Sequence, residues 1–428
     1  MMLAGCVGLP GPDGFEAAII KRSQALPVLA PATGHDVKSV ARNGLLLSPS
    51  VREAASLVSA SADEVRVQRA ALFPGLSLSA GGGIGSAGNG NPALELTGSQ
   101  LLFDGGNSQR AVKVADFDLQ IKYIAFQKAV DDAMVELLKA YDNVHTQTEL
   151  LAVYRKQLNA LRELESLVAA RAESGAVSSS DLLEARKRVQ SAAFLVNDTE
   201  LALAEARDRL TLLSGQSQGG RIRIAPASCK ANGNTDSLYM AQLELGRAGI
   251  ALETAEKAAL TPRVVLKPVI GGELGISNIP VGVNVDIQSD FLQGGALTAK
   301  ANVARNRLAA AQAKLGIVKL EDGIAEHGMV RSLAAGERKT TMLEQQISLL
   351  TETRELYRSQ YFDMGTRRLS ELLDNEEEYY SRQSELVLLR SELATTRLDC
   401  AVRSRVLRRE LGLEGHSIYG FPLGPEVV

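Results

Sequence analysis

The sequence predicts a mainly α-helical protein with a small β part, built from two similar halves. Three observations support this fold class. Two long segments, 107–173 and 296–364, contain no proline. Four shorter segments alternate apolar and polar residues, which is typical of β-strands that bury one face. A duplication relates the two halves of the chain.

The duplication is visible at three places. Residues 71–74 (ALFP) recur as 259–262 (ALTP), residues 102–106 (LFDGG) as 291–295 (FLQGG), and residues 180–184 (SDLLE) as 370–374 (SELLD). The offset stays between 188 and 190 positions, which is far longer than the period of a solenoid. We therefore expect a lead-in over 1–38, a first half over 39–235, a second half over 236–413 and a tail over 414–428.

Each half has the same predicted order: a shorter helix, two strands, a very long helix and a return helix. The shorter helices are expected at 49–72 and 236–260, with Ser48 as N-cap and Pro49 in the first turn of the former. Residues 7–38 contain four prolines and are expected to be extended rather than helical.

The segment 107–173 has neither glycine nor proline, so an unbroken helix would reach ~100 Å. Its apolar positions step alternately by four and three residues, which is the 3.5-residue period of a left-handed coiled-coil seam. These positions are Val130, Met134, Leu137, Tyr141, Val144, Thr148 and Leu151. The second long segment carries Gly316, Gly323, Gly328 and Gly336, near which we expect weaker or bent helix.

Alternation predicts the four strands. Residues 281–288 place Val281, Val283, Val285 and Ile287 on one face and polar residues or glycine on the other. The other strands begin near 94–97, at 76–79 and around Val264, and residues 85–92 and 277–280 are predicted turns. Four strands are too few to close a membrane barrel, which starts at about eight. Either the sheet packs on a soluble core, or several chains close it together, in which case three copies give twelve strands.

Composition excludes several classes of function. With 47 Lys+Arg against 50 Asp+Glu, the chain lacks the basic excess of a nucleic-acid binder. Three cysteines and four scattered histidines do not make a Cys/His zinc cluster, and no metal or cofactor is expected. Cys229 lies in a polar linker and Cys400 in a predicted helix, so we do not expect them to pair. The G-x-G-x-x-G match at 83–88 is followed by a turn instead of a helix, which argues against a nucleotide site.

Two acid pairs form the best candidate site. Asp181 with Glu184, and Glu371 with Asp374, have the i, i+3 spacing that places both carboxylates on one helical face. Acids in a first helical turn also complement the helix dipole, and Ser178 with Asp181 has the form of a capping box, so a purely structural role stays open. No histidine or aromatic cluster accompanies either pair, so we do not expect an enzyme.

Near the N-terminus, the sequence Leu3-Ala4-Gly5-Cys6 resembles a bacterial lipobox, in which the cysteine is lipidated. No basic or apolar stretch precedes it. Either the natural start lies upstream, or the match is a coincidence.

Over about residues 37–413 the sequence resembles the TolC-type outer-membrane factor family. The resemblance rests on residues 48–54 (SPSVREA), 71–78 (ALFPGLSL), 102–106 (LFDGG) and 365–374 (GTRRLSELLD), together with the duplication. It implies a homotrimer in the bacterial outer membrane, with a twelve-stranded barrel in the lipid and a long antiparallel coiled-coil α-barrel in the periplasm. It also implies a passive exit duct, for drug efflux or for type I protein secretion. Such a duct works with a periplasmic adaptor and with an inner-membrane transporter of the resistance-nodulation-division or ABC type.

The resemblance also assigns roles to residues. The turns at Gly175 and Gly365, with Ser180 and Thr366, would be periplasmic tips that contact the adaptor. Glu371 and Asp374 would form an acidic constriction, with Asp181 and Glu184 as their counterparts, and Arg367 would restrain the closed tip. Cys6 would carry a lipid anchor in the same membrane. The alternative from a different class is a soluble coiled-coil scaffold without channel activity.

Overall fold

A computed structural model describes residues 14–81, 84–85, 88–89, 93–224, 228–231, 234–258, 261–273, 281–289 and 295–424. The first part of the chain forms α1 (Gly14–Gln24), α2 (Val37–Leu47), α3 (Pro49–Ala70), β1 (Gly75–Gly81), β2 (Ile84–Gly85), β3 (Gly88–Asn89), β4 (Ala93–Phe103), α4 (Asn107–Glu173) and α5 (Ser179–Ser214). The second part forms α6 (Asp236–Lys257), β5 (Arg263–Glu273), β6 (Val281–Gln288), α7 (Ala296–Phe362), α8 (Leu369–Arg403), α9 (Leu407–Glu410), β7 (Ser417–Ile418) and β8 (Phe421–Pro422).

The duplication is preserved in the lengths of the elements. Helices α3 and α6 have 22 residues each, α4 and α7 have 67 each, and α5 and α8 have 36 and 35. The predicted helix over 107–173 is observed with the same bounds. No helix in the described part of the chain combines the length and the apolar character needed to cross a membrane.

The LFDGG sequence makes the sharp turn from β4 into α4. Asp104 caps the helix, because its carboxylate accepts hydrogen bonds from the backbone N–H of Gly106 at 3.0 Å and of Ser108 at 2.7 Å. Gly105 has φ +63°, and a Cβ at this residue would lie 2.3 Å from a methyl group of Thr261. A side chain larger than hydrogen would therefore be strained and would clash.

The long helices form a layer in the order α5, α4, α8, α7, in which each helix packs against the next. The predicted seam of α4 lies in the core, since Val130, Met134, Leu137, Tyr141, Val144 and Leu151 are buried and only Thr148 is exposed. Helix α7 has only four buried residues among 67, whereas α4 has 23. Its helical hydrogen bonding continues through all four glycines, of which Gly316, Gly323 and Gly328 face open space.

Strands β1, β4, β5 and β6 form one antiparallel sheet in that order. The register aligns Leu78 with Leu96, Leu96 with Ile270, and Ile270 with Val281. One face is therefore largely apolar across all four strands, as the alternation predicts, with Gln100 on it opposite Leu266. Leu76, Val281 and Ile287 on this face are exposed, whereas Leu96, Val264 and Leu266 are half-buried. The other face carries polar residues such as Thr97, Lys267 and Asn284.

Three local expectations are wrong. The lead-in contains helix α1, because no proline lies between Pro12 and Pro27, and Ile19 of this stretch packs into the core. The predicted turn over 85–92 includes the two-residue ladder of β2 and β3. The predicted turn at 277–280 lies outside the described residues.

The third correction concerns the cysteines. Cys229 and Cys400 form a disulfide, with Cα atoms 4.2 Å apart. The linker between the halves passes along the end of α8, where Cys229 is 6% exposed and Cys400 is fully buried. Position in a linker and in a helix did not exclude this contact, since distant segments are brought together by packing.

Candidate functional site

The turn between α4 and α5 is fixed by backbone geometry and capping. Gly175 has φ +75° and has no atom within 4 Å of a Cβ placed there. The Ser178 hydroxyl accepts from the N–H of Asp181 at 3.2 Å, and the Asp181 carboxylate accepts from the N–H of Ser178 at 3.3 Å. This is a capping box, so Asp181 has the structural role that the sequence left open. Ser180 is exposed and lies 2.7 Å from the Ser178 hydroxyl.

The turn between α7 and α8 has the same glycine geometry. Gly365 has φ +67°, and the N–H of Thr366 donates to the carbonyl of Gln360 at 3.0 Å. Both tips therefore have a glycine at the helix end, where a left-handed conformation is needed.

Arg367 lies in this second tip, and its hydrogen bonds and ring contact with described residues stay within its own hairpin. Its Nε donates to Gln360 at 2.8 Å, its Nη1 donates to Glu371 at 2.8 Å, and its guanidinium lies 4.1 Å from the centre of the Tyr357 ring. The hydrogen bond with Glu371 raises the pKa of Arg367. Glu371 is therefore paired within the same hairpin.

Arg188 joins the two hairpins. This residue of α5 donates to Glu184 on its own helix at 3.0 Å and to Asp374 on α8 at 2.9 Å, and it also bonds Glu377 on α8. Burial acts to lower the pKa of Arg188, but the hydrogen bond with Glu184 and the charges of Glu377 and Asp374 raise it overall. The same hydrogen bond lowers the pKa of Glu184. One guanidinium thus holds carboxylates of both halves.

Arg171 makes a second link between the hairpins. Near the end of α4 it donates to the carbonyls of Tyr361 and Phe362 on α7, each at 3.1 Å. These are carbonyls at the C-terminus of a helix, where a cation is favourable. The Tyr361 hydroxyl is buried without a hydrogen-bond partner among the described residues, and burial raises its pKa.

Further arginines tie the end of α7 to its neighbours. Arg354 donates to Glu376 on α8 through two nitrogens, at 2.6 and 2.5 Å, and lies 4.2 Å from the Tyr379 ring centre. Glu376 is only 5% exposed, so this is a buried, two-point ion pair. Arg358 pairs with Glu163 across to α4.

The sequence-predicted tip residues are therefore near one another, but Arg171 and Arg188, arginines that make crossing contacts, were not indicated by the sequence. Arg188 follows Glu184 by four positions, which is a recognisable helical pair. Nothing in the sequence indicates that Asp374 reaches the same guanidinium from 186 positions away. Cys6 lies outside the described residues. Within the described segments no group of three or more His, Cys, Asp or Glu could hold a metal ion.

Part of the chain matches a known protein family. Residues 41–216 match the family described as outer membrane efflux protein. Protein CyaE of Bordetella pertussis is 28% identical over 186 residues, which are 42% of this chain and 39% of that protein. The chain thus matches well under half the length of this curated relative.

The fold is shared with solved outer-membrane channels. CmeC of Campylobacter jejuni superposes with a TM-score of 0.76 at 12% identity, covering 92% of this chain and 87% of CmeC. VceC of Vibrio cholerae gives 0.76 at 16% identity, covering 90% and 96%. MtrE of Neisseria gonorrhoeae gives 0.69 at 18% identity, covering 86% and 89%. The resemblance to the TolC-type outer-membrane factors is therefore supported by a family match over residues 41–216, and the fold of most of the chain is that of these outer-membrane proteins.

Proposed function

We propose that this chain, with its outer membrane efflux protein match and its TolC-type fold, is one protomer of a trimeric exit duct. The observation that carries the proposal is a sheet with one largely apolar face, whose edge strands expose Leu76, Leu78, Val281, Val283, Val285 and Ile287 to solvent. A soluble protein rarely exposes so large an apolar surface. A lipid environment removes this cost, since burial of each large apolar side chain contributes about 1.5–3 kcal/mol.

The strand order supports closure by several copies. β1 and β6 are the two edges of the sheet, and neighbouring strands alternate in direction throughout. β6 of one copy can therefore pair antiparallel with β1 of the next, which leaves no edge. Open edges are not tolerated in lipid because each unpaired backbone group costs several kcal/mol. Three copies give the twelve strands of a closed barrel.

The helical layer has matching open flanks. α5 lies at one end of the layer and α7 at the other. Both expose apolar side chains at helical spacing: Leu183, Phe194, Leu201 and Leu212 on α5, and Ile317, Ile324, Leu349 and Leu356 on α7. Packing α7 of one copy against α5 of the next covers both surfaces and closes a tunnel of twelve helices.

The gate of this duct is proposed at the tips. In a trimer, Asp374 and Glu371 occur three times around the axis, and like charges there repel. Arg188 and Arg367 offset this charge within each chain, and Arg188 also holds α5 to α8. The closed tip is stable while these pairs hold. Glu184 and Asp181 contribute through Arg188 and through the helix cap, respectively.

The partners follow from the same proposal. The exposed tip residues Gly175, Ser180, Gly365 and Thr366 would contact a periplasmic adaptor, which couples the duct to an inner-membrane transporter of the resistance-nodulation-division or ABC type. The cargo is a small molecule in the former case and a small molecule or a protein in the latter. Cys6 would add a lipid anchor.

Purification of the protein and single-channel recording of variants test the proposal. The purified protein should require detergent, have the mass of a trimer, and form channels in planar bilayers. Arg188→Ala and Arg367→Ser should increase single-channel conductance. Arg209→Ala, elsewhere on α5, removes an exposed ion pair with Glu136 of α4 and should not change the conductance. A monomer soluble in plain buffer would instead favour the scaffold. Channels with unaltered conductance in both tip variants would contradict the gate alone.

A further inference from the structure

A cavity of about 290 Å³ lies far along the chain from the tip residues, between α1, α3, α4 and the β7–β8 hairpin. Its walls include the apolar side chains of Ile19, Val58, Leu119 and Phe421. Phe421 is held by contacts with the rings of Tyr123 and Phe126. The volume is close to the lower limit for small-molecule sites, about 300 Å³.

A buried carboxylate lines this cavity and is only half satisfied. Glu16 is 3% exposed, and its Oε1 accepts from Arg66 at 2.5 Å. Its Oε2 is buried and has no hydrogen-bond partner among the described residues. A buried unsatisfied charged acceptor is costly, so its presence in a native structure calls for a missing partner.

The charged residues that line the cavity indicate what kind of group would pair with Glu16 Oε2. Arg66 also pairs with Asp63 at the rim, at 2.9 Å. Among the residues that line the cavity, the buried Glu16 and the largely exposed Asp63 therefore share one guanidinium, whose Nε is also buried without a partner among the described residues. Glu16 Oε2 is the buried acceptor that a bound donor would satisfy. A water molecule could satisfy Oε2, but a water occupies only about 30 Å³ and gains nothing from the apolar walls.

We propose that this cavity binds a small apolar amine in its ammonium form. The ammonium donates a hydrogen bond to Glu16 Oε2 and supplies a positive charge, while the hydrocarbon part lies against Ile19, Val58, Leu119 and Phe421. The inference concerns a separate part of the molecule and does not depend on channel activity.

Calorimetric titration of the full-length protein in detergent tests the proposal, with empty micelles as blank. The probes are benzylammonium, benzyl alcohol and benzoate, which share one ring and differ in charge. Benzylammonium should bind saturably and at least about tenfold more tightly than benzyl alcohol, since ten-fold corresponds to 1.4 kcal/mol. Benzoate should not bind.

Three variants complete the design. Glu16→Gln should weaken benzylammonium about tenfold or more. Ala62→Leu, which fills the cavity and leaves the Glu16–Arg66 pair intact, should abolish binding. Glu64 is an exposed carboxylate on α3, the helix that carries Ala62 and Arg66, so Glu64→Gln is the matched control and should bind benzylammonium as the natural protein does. If Glu16→Gln does not fold, Ala62→Leu decides. Undiminished binding in the folded variants, or no saturable binding to the natural protein, would overturn the proposal and assign the cavity to water.

Discussion

Removing the Cys229–Cys400 disulfide should destabilise the contact between the linker and the end of α8. The bond joins residues 171 positions apart. In the chain-entropy model, closing a loop of that length restricts the unfolded chain by about 5 kcal/mol, and measured effects are typically about 2–4 kcal/mol. Both side chains are buried, so alanine also removes packed sulfur atoms. We expect Cys229→Ala/Cys400→Ala to lower the free energy of unfolding by about 2–5 kcal/mol.

The assay compares urea unfolding of the natural protein and of the double variant in the same detergent. Hydrogen exchange of residues 216–224 and 228–231 reports the linker directly. Reductant added under unfolding conditions should bring the natural protein to the value of the double variant, and it should not affect the double variant. A difference below about 0.5 kcal/mol, with equal linker protection, would refute this role of the disulfide. Titration of two or more free thiols in the unfolded, non-reduced protein would refute the bond itself.

Three further predictions concern single residues. Arg188→Ala should loosen the α5–α8 contact at neutral pH, because it removes the bonds with Asp374 and Glu377. It also removes the bond with Glu184 within α5, which lowers the pKa of Glu184 below its ordinary 4.5, so the stabilisation from this intrahelical pair is present above pH 4.5 and is lost as the pH falls through the lowered pKa. The part of the stability that Glu184 contributes through Arg188 should therefore be lost in acid in the natural protein and be absent from Arg188→Ala at every pH, and an equal pH response of the two proteins would contradict the assignment. Gly219→Ala should lower the free energy of unfolding by about 1–3 kcal/mol, because a Cβ at this residue would lie 2.4 Å from the carbonyl oxygen of Tyr141. Gly249→Ala is the control: this residue of α6 faces open space, so alanine should raise the free energy of unfolding by up to about 1 kcal/mol. Arg408→Leu should lower the free energy of unfolding by about 3–5 kcal/mol, because it leaves the Asp131 carboxylate without its buried partner. Arg409 is exposed, so Arg409→Leu should have little effect on thermal unfolding. Similar values for the two variants would show that the Arg408–Asp131 pair does not stabilise the fold.

The long helices and the strand faces could be predicted because their signals are local. Helix α4 has no residue that breaks a helix between Gly106 and Gly175, and its bounds follow from that alone. Alternation in 281–288 fixes which side chains share a face, since the side-chain period of a strand is two. The register between β4 and β5, which pairs Leu96 with Ile270 across the two halves, has no comparable local signal.

The candidate site was predicted in part. Residues 175–184 and 365–374 identify the turns, because a glycine at the helix end, a capping residue and acids in the first turn have local causes. Arg171 and Arg188 were missed because a surface arginine on a helix is common, and only packing brings it to a partner on the other hairpin.

The same distinction holds for the whole protein. By itself, the sequence determined the duplication, the long helices, the apolar face of the strands and the position of the tips, since each follows from backbone conformation and side-chain periodicity over a few turns or residues. Only the tertiary structure decided that Cys229 meets Cys400, that Arg188 joins the two hairpins, and that Glu16 lies half-paired beside a cavity. These depend on contacts between residues 50 to 190 positions apart, whose geometry is set by how whole helices pack.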